Sequence, residues 1–146
     1  ANVIGQYIFG AIANLTSKEI IEWYKMQREY YSEIITDLVN GLEQELPGLI
    51  ISKPKASIYI VLDFSRITPD DFNISKFIEY AAKYGRSSFN NKNYTLLMSP
   101  MVGFFSTKIS NNKLARIALV EPKDKMKVVP RLLSSLLKDY IRNSKG

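Results

Sequence analysis

Between Ala1 and Ser17 the chain carries no charged residue, and Val3, Ile4, Tyr7, Ile8, Ala11, Ile12 and Leu15 recur at the spacing of one helix face. An apolar partner is expected to cover that face. The run is interrupted by Gly5, Gln6, Gly10 and Asn14, and it falls short of the roughly 20 mostly apolar residues that cross a bilayer. No membrane association is expected. A pattern that starts so abruptly suggests a chain that begins partway through a larger protein.

Thr16 and Glu19 form a capping box, in which the hydroxyl accepts from the backbone three residues on and the carboxylate reaches back to an orphan N–H. A helix should therefore start there. Ile20, Trp23, Tyr24, Gln27, Tyr31, Ile34, Ile35, Leu38, Leu42 and Leu46 follow a 3.6-residue period until Pro47-Gly48 ends it. At 1.5 Å per residue this helix, 17–47, is roughly 40 Å long and should lean on more than one layer.

Leu49 to Ser52 reads as a short strand. The run from Ser57 to Asp63 is dense in β-branched and aromatic residues and predicts a strand with both faces largely covered. A helix follows, capped by Asp70 or Asp71, with Phe72, Phe77, Ile78 and Ala81 on one side. Gly85 to Asn93 is polar and predicts a loop. Tyr94–Met98 and Leu114–Val120 predict two more strands, separated by a Pro100/Gly103 bend and a Ser110-Asn111-Asn112 turn. In the last helix Met126, Val129, Leu132, Leu133, Leu136, Leu137, Tyr140 and Ile141 share a face, with a kink or restart at Pro130. The sum is an α+β fold: a small, mostly antiparallel sheet covered on one face by helices and preceded by a long connecting helix. Residues 1–16 form a separate apolar segment, and 17–146 form the domain.

Composition narrows the chemistry. The 146 residues are 46% hydrophobic and 23% charged, as in an ordinary globular domain. The chain has no cysteine and no histidine, which removes disulfides, thiol nucleophiles, histidine-dependent triads and nearly all zinc sites. Any acid–base catalyst must be Lys, Asp, Glu or Tyr. No secretory leader is evident, so a cytoplasmic address is the default expectation.

The net charge of +6 is unevenly spread: residues 1–80 hold 7 Lys/Arg against 11 Asp/Glu, and residues 81–146 hold 13 against 3. Such a basic half could bind phosphate, which leaves an RNA-binding or protein-interaction module without catalysis as the alternative reading. Lys123, Lys125 and Lys127, however, recur at a spacing that spreads them around a helix instead of aligning them in one stripe.

Arg116 stands out because it sits inside an otherwise apolar strand, and a guanidinium is almost never buried without a partner. A ligand carboxylate would match its fork bidentately. A structural ion pair with an acidic residue of the first half, or an edge-strand position reaching solvent, would satisfy it equally. Ser135 and Lys138 share a spacing with serine–lysine chemistries, but a lysine in the last turns of a helix is explained by the helix dipole. Asp70/Asp71 read as a cap and Glu43/Glu45 as a solvated face. No metal site and no phosphate-cradling glycine loop is evident.

Three stretches, in order, resemble the C-terminal part of the fold type I pyridoxal-phosphate-dependent aminotransferases, aspartate aminotransferase-like members in particular. Ser52-Lys53-Pro54-Lys55-Ala56-Ser57-Ile58-Tyr59 resembles K-P-x-G-A-F-Y, Met98-Ser99-Pro100-Met101-Val102-Gly103-Phe104-Phe105 resembles A-P-x-x-G-F-Y, and Leu114-Ala115-Arg116-Ile117-Ala118-Leu119-Val120 resembles x-V-R-I-A-Y-V. The helix from Glu19 to Pro47-Gly48 is similar to that family's long connecting helix. Ala56, Ile58, Phe105 and Leu119 depart from the pattern at packing positions.

The resemblance implies a small domain in which Arg116 grips the substrate α-carboxylate. It also implies that the pyridoxal 5'-phosphate lysine and the other cofactor-binding and catalytic groups lie upstream, in a missing large domain. On this reading the chain is an inactive fragment of a homodimeric enzyme that transfers amino groups between amino acids and 2-oxo acids.

Overall fold

In the computed structural model, residues 2–55, 57–106 and 111–144 are described, and they form two units, Ala1–Glu33 and Ile34–Gly146. Ala56 and Ser110, which figured in the motif and turn readings above, lie outside the described residues.

The first unit is entirely helical. Helix α1 (Val3–Gly10) is capped by Asn2, whose side chain accepts from the Gly5 N–H at 3.2 Å, and it runs into a 3-10 turn, Ala11–Asn14. Helix α2 (Ser17–Glu45) begins in this unit and continues into the second. The capping box forms as expected: the Thr16 N–H donates to Glu19 Oε2 at 2.7 Å and the Glu19 N–H donates to Thr16 Oγ1 at 3.3 Å. Bonds to the carboxylate, from the Thr16 backbone first and its hydroxyl second, hold the Glu19 carboxyl below its usual value.

The second unit contains the core. From α2 it takes Ile34, Leu38, Val39 and Leu42, all buried. The helix ends at Glu45, two residues short of the expected 47, and the chain turns at Pro47-Gly48, where Gly48 adopts φ +92, a conformation that L side chains rarely adopt. Four strands follow the order β1-β2-β6-β5, every pair antiparallel: β1 (Ile50–Ile51), β2 (Tyr59–Asp63), β5 (Ser99–Pro100) and β6 (Leu114–Ala118). Helix α3 (Ile74–Lys83) links β2 to a small hairpin, β3 (Ser87–Phe89) and β4 (Lys92–Tyr94). Helices α4 (Lys123–Met126) and α5 (Val129–Asn143) close the chain, with Pro130 in the first turn of α5, so the chain restarts there instead of kinking.

The expected α+β class and one-sided helical cover are what the structure has. Ile60, Leu62, Ala115 and Ile117 are 0–2% exposed and form the covered face of the sheet, and Phe77 of α3 and Leu133 and Leu136 of α5 are fully buried as well. Phe64, Phe72, Phe77 and Tyr140 form an aromatic cluster in this layer, with ring centroids 5.4–6.3 Å apart. Helices α2 and α5 approach closely. A Cβ on Gly41 would stand 2.7 Å from Pro130 Cγ, and the buried Ser134 hydroxyl donates to the Glu45 carbonyl at 3.2 Å.

Several expectations need correction. Strand β2 is covered on one face only, because its residues alternate between buried and half-buried. The cap of α3 is Asn73, not Asp70 or Asp71; its side chain accepts from the Lys76 N–H at 3.1 Å, and Phe72 lies ahead of the helix. The polar 85–93 stretch is the β3–β4 hairpin, turned by Asn90 and Asn91 at φ 49 and 59, which asparagine tolerates and two-residue hairpins require.

Residues 95–98 join no strand: the Thr95 hydroxyl donates to the Ala81 carbonyl, while Leu96 and Met98 are buried and Leu97 is exposed. Strand β6 stops at Ala118. Of the long helix, only the part from Ile34 onward contributes buried residues.

Candidate carboxylate site

Strand alternation decides where Arg116 points. Its neighbours Ala115 and Ile117 are buried, so Arg116 lies on the opposite, half-buried face of the sheet. That face also carries Tyr59 and Val61 of β2, and Ser99 of β5. Arg116 pairs with Val61 on one side and Ser99 on the other, so it occupies an inner strand and not an edge.

Two aromatic rings close on the guanidinium. Its central carbon lies 4.3 Å from the Tyr59 ring centroid and 3.9 Å from that of Phe104, both within cation–π range. Tyr59 arrives because it is two residues along β2 from Val61, the partner of Arg116. Phe104 arrives on a 3-10 turn, Val102–Phe104, at the end of β5. That turn is tied to β6 by the Met101 N–H donating to the Leu114 carbonyl at 2.9 Å, and closed by the Phe104 N–H donating to the Met101 carbonyl at 2.9 Å.

Among the described residues, no carboxylate pairs with Arg116. Ion pairs formed elsewhere include Lys53–Glu43, Lys83–Glu79, Lys125–Glu121, Lys127–Asp37, Arg142–Asp139 and two within the first half of α2. The structural ion pair weighed above is therefore not what satisfies this residue. The rings offset part of the cost of half-burying the cation but accept no strong hydrogen bond, so they leave its N–H groups unoccupied, and a guanidinium edge of this kind matches a planar anion.

The other candidates resolve differently. Lys138 is exposed on α5. Glu43 is paired with Lys53 at 2.8 Å. Lys125 and Lys127 of the basic half are tied to Glu121 and Asp37, and hydrogen bonding to Glu121 raises the Lys125 pKa. A cavity of ≈ 420 Å³ lies between the hairpin and the start of α5, and one of ≈ 390 Å³ lies between α2 and α5; neither is lined by Arg116. Among the described residues no cluster of acidic side chains could hold a metal ion, and no helix is long and apolar enough to cross a membrane.

Tyr59 and Phe104 were visible in the sequence as motif aromatics, yet nothing there placed them beside Arg116. The strand order does so, because it brings all three motif segments to one face.

The fold has structural counterparts. The fold superposes on the α-aminoadipate aminotransferase LysN from Thermus thermophilus, solved with N-(5'-phosphopyridoxyl)-L-leucine, with a TM-score of 0.63 and 16% identity over 82% of this chain and 28% of that one. The fold is that of an aminotransferase small domain.

The same small-domain fold is found in kynurenine aminotransferase from Pyrococcus horikoshii, with a TM-score of 0.57, 19% identity, and coverage of 77% of this chain and 25% of that one. It is also found in YbdL from Escherichia coli, described as having a methionine aminotransferase function, with a TM-score of 0.55, 15% identity, and coverage of 73% and 24%. The chain thus spans about a quarter of the length of these aminotransferases. No family model matches the sequence, and neither does any curated protein sequence.

Proposed function

We propose that this chain is the small-domain portion of a pyridoxal-phosphate-dependent aminotransferase, and that Arg116 binds the α-carboxylate of the amino-acid or 2-oxo-acid substrate. The observation that carries the reading is a half-buried guanidinium on an inner strand with no carboxylate partner among the described residues. Two parallel N–H···O bonds from the guanidinium edge would fix both carboxylate oxygens. Fixing the carboxylate fixes one substituent of the substrate Cα, so its C–H bond is presented in one direction, a gain of the orientational kind.

A guanidinium fits a substrate carboxylate, whereas Ser135 and Lys138 lie on α5, with Lys138 exposed. When bound, pyridoxal phosphate supplies the electron sink for amino-group transfer. In this reading its lysine and phosphate-binding groups come from the remainder of a full-length, homodimeric, cytoplasmic enzyme. The exposed apolar side chains of the first unit, among them Ile4, Tyr7, Ile8 and Phe9, suit burial against that remainder.

The test is Arg116→Ala in the full-length protein. Removing one partner of a hydrogen-bonded charge pair costs about 3–5 kcal/mol, which predicts a loss of kcat/KM on the order of 10²–10³ or more with the far-ultraviolet circular dichroism unchanged. Wild-type turnover in that variant would sink the proposal.

A further inference from the structure

We propose that Tyr59 and Phe104 are positioning residues for Arg116: an aromatic bracket that holds the guanidinium in its binding orientation before any carboxylate arrives. The inference rests on the carboxylate-binding role given to Arg116 above and adds the means by which that side chain is kept ready. An unrestrained arginine side chain carries many rotamers, and a ligand that must first collect them into one loses affinity.

Here the collecting is already done. The guanidinium carbon sits 4.3 and 3.9 Å from the two ring centroids, whereas cation–π attraction extends to about 6 Å. Ring faces hold the charge without engaging its N–H groups in strong hydrogen bonds, so a bound state and a waiting state can share one arginine conformation.

Two further observations favour positioning over packing. Tyr59 comes from β2 and Phe104 from the turn after β5, the two strands that flank β6, so the bracket is fixed to the same hydrogen-bonded ladder as the residue it holds. Phe104 is 53% exposed. A phenylalanine kept for the core would be covered by other apolar side chains, whereas this ring leaves half its surface uncovered while contacting a cation.

The first measurement uses this chain alone. Stacked rings shift the Arg116 side-chain proton resonances upfield, and Phe104→Leu and Tyr59→Leu should each remove part of that shift, whereas Phe104→Tyr and Tyr59→Phe should retain it. Unshifted resonances in the unsubstituted chain overturn the bracket outright.

The second uses the full-length enzyme. Phe104→Leu should raise the amino-acid KM about three- to thirtyfold, the range that cation–π energies convert to, with kcat changing less and with Phe104→Tyr restoring KM. An unchanged KM in Phe104→Leu, alongside a crippled Arg116→Ala, overturns positioning while leaving the carboxylate role intact. An Arg116→Ala enzyme of normal activity overturns the carboxylate role and the positioning inference with it, whatever the resonances show. A thermal midpoint that falls in Phe104→Leu with no rescue by tyrosine identifies a structural ring and likewise overturns the proposal.

Discussion

The two faces of the four-stranded sheet are built from alternate residues of the same strands, and they are under opposite demands. On the covered face Ile60, Leu62, Ala115 and Ile117 are shut off from water. On the open face Tyr59, Val61, Arg116 and Ser99 are half-buried, with a cation among them. One face is organised by area removed from water, the other by where a charge is held. The difference teaches that stability and the proposed binding role can be varied one residue apart.

The sharpest way to break that comparison is on β2. Leu62→Ala deletes a fully buried side chain and should cost about 2–5 kcal/mol in a urea titration, whereas its neighbour Val61→Ala should cost under about 1.5 kcal/mol. Equal losses would mean that the open face is packed as well. Next, Arg116→Ala should lower stability by no more than about 1–2 kcal/mol, the worth of two exposed-to-intermediate ring contacts, although it should abolish most turnover in the full-length enzyme. A collapse of the fold would place Arg116 among the structural residues instead.

On the helical side, Asn73→Ala removes the α3 cap and should cost about 1 kcal/mol, read as a lower thermal midpoint and faster amide exchange in the first turn of α3.

The smallest effect belongs to the outermost layer. The hydrogen bond between Glu79 and Lys83, supported by their opposite charges, lowers the glutamate pKa and raises that of the lysine. The glutamate's contribution is present above its unfolded value of about 4.3 and is lost as pH falls through its lower folded value; the lysine's is present below about 10.4 and is lost as pH rises through its higher folded value. Both side chains are solvated, so Glu79→Gln should leave the midpoint near neutrality unresolved from wild type. Any difference should be confined to those two pH extremes.

How legible this was depends on the range of the interactions. The α2 boundaries follow from Thr16, Glu19 and Pro47-Gly48, all local signals; the start at Ser17 is met and the end falls at Glu45, two residues ahead of the expected 47. Strands β2 and β6 announce themselves by their β-branched and aromatic residues. Their one-sided cover does not, because Val61 and Ala118 on the open face are as apolar as a buried residue. The β3–β4 hairpin escapes because its polarity mimics a loop and its signal is an Asn-Asn pair instead of Asn-Gly.

Arg116 is conspicuous in the sequence as a charge amid apolar neighbours, and its matching motif points to a carboxylate. Its ring neighbours are not conspicuous. They come from segments before it whose adjacency is set by strand order, which no local pattern encodes. Nor does the first unit follow from periodicity alone. No described residue in 2–33 is buried, although the same apolar spacing that buries Leu38 and Leu42 runs through it.

The inner position of β6 has a consequence for the order of folding. Its pairing with β2 joins residues more than fifty positions apart, and closing a loop of that length comes after helices and hairpins have formed locally. Before that closure Arg116 has neither ladder nor rings around it. The capacity to hold a carboxylate should therefore appear in one step with the tertiary sheet. Ring-current shifts at Arg116 would then time the last event of folding as well as report the site.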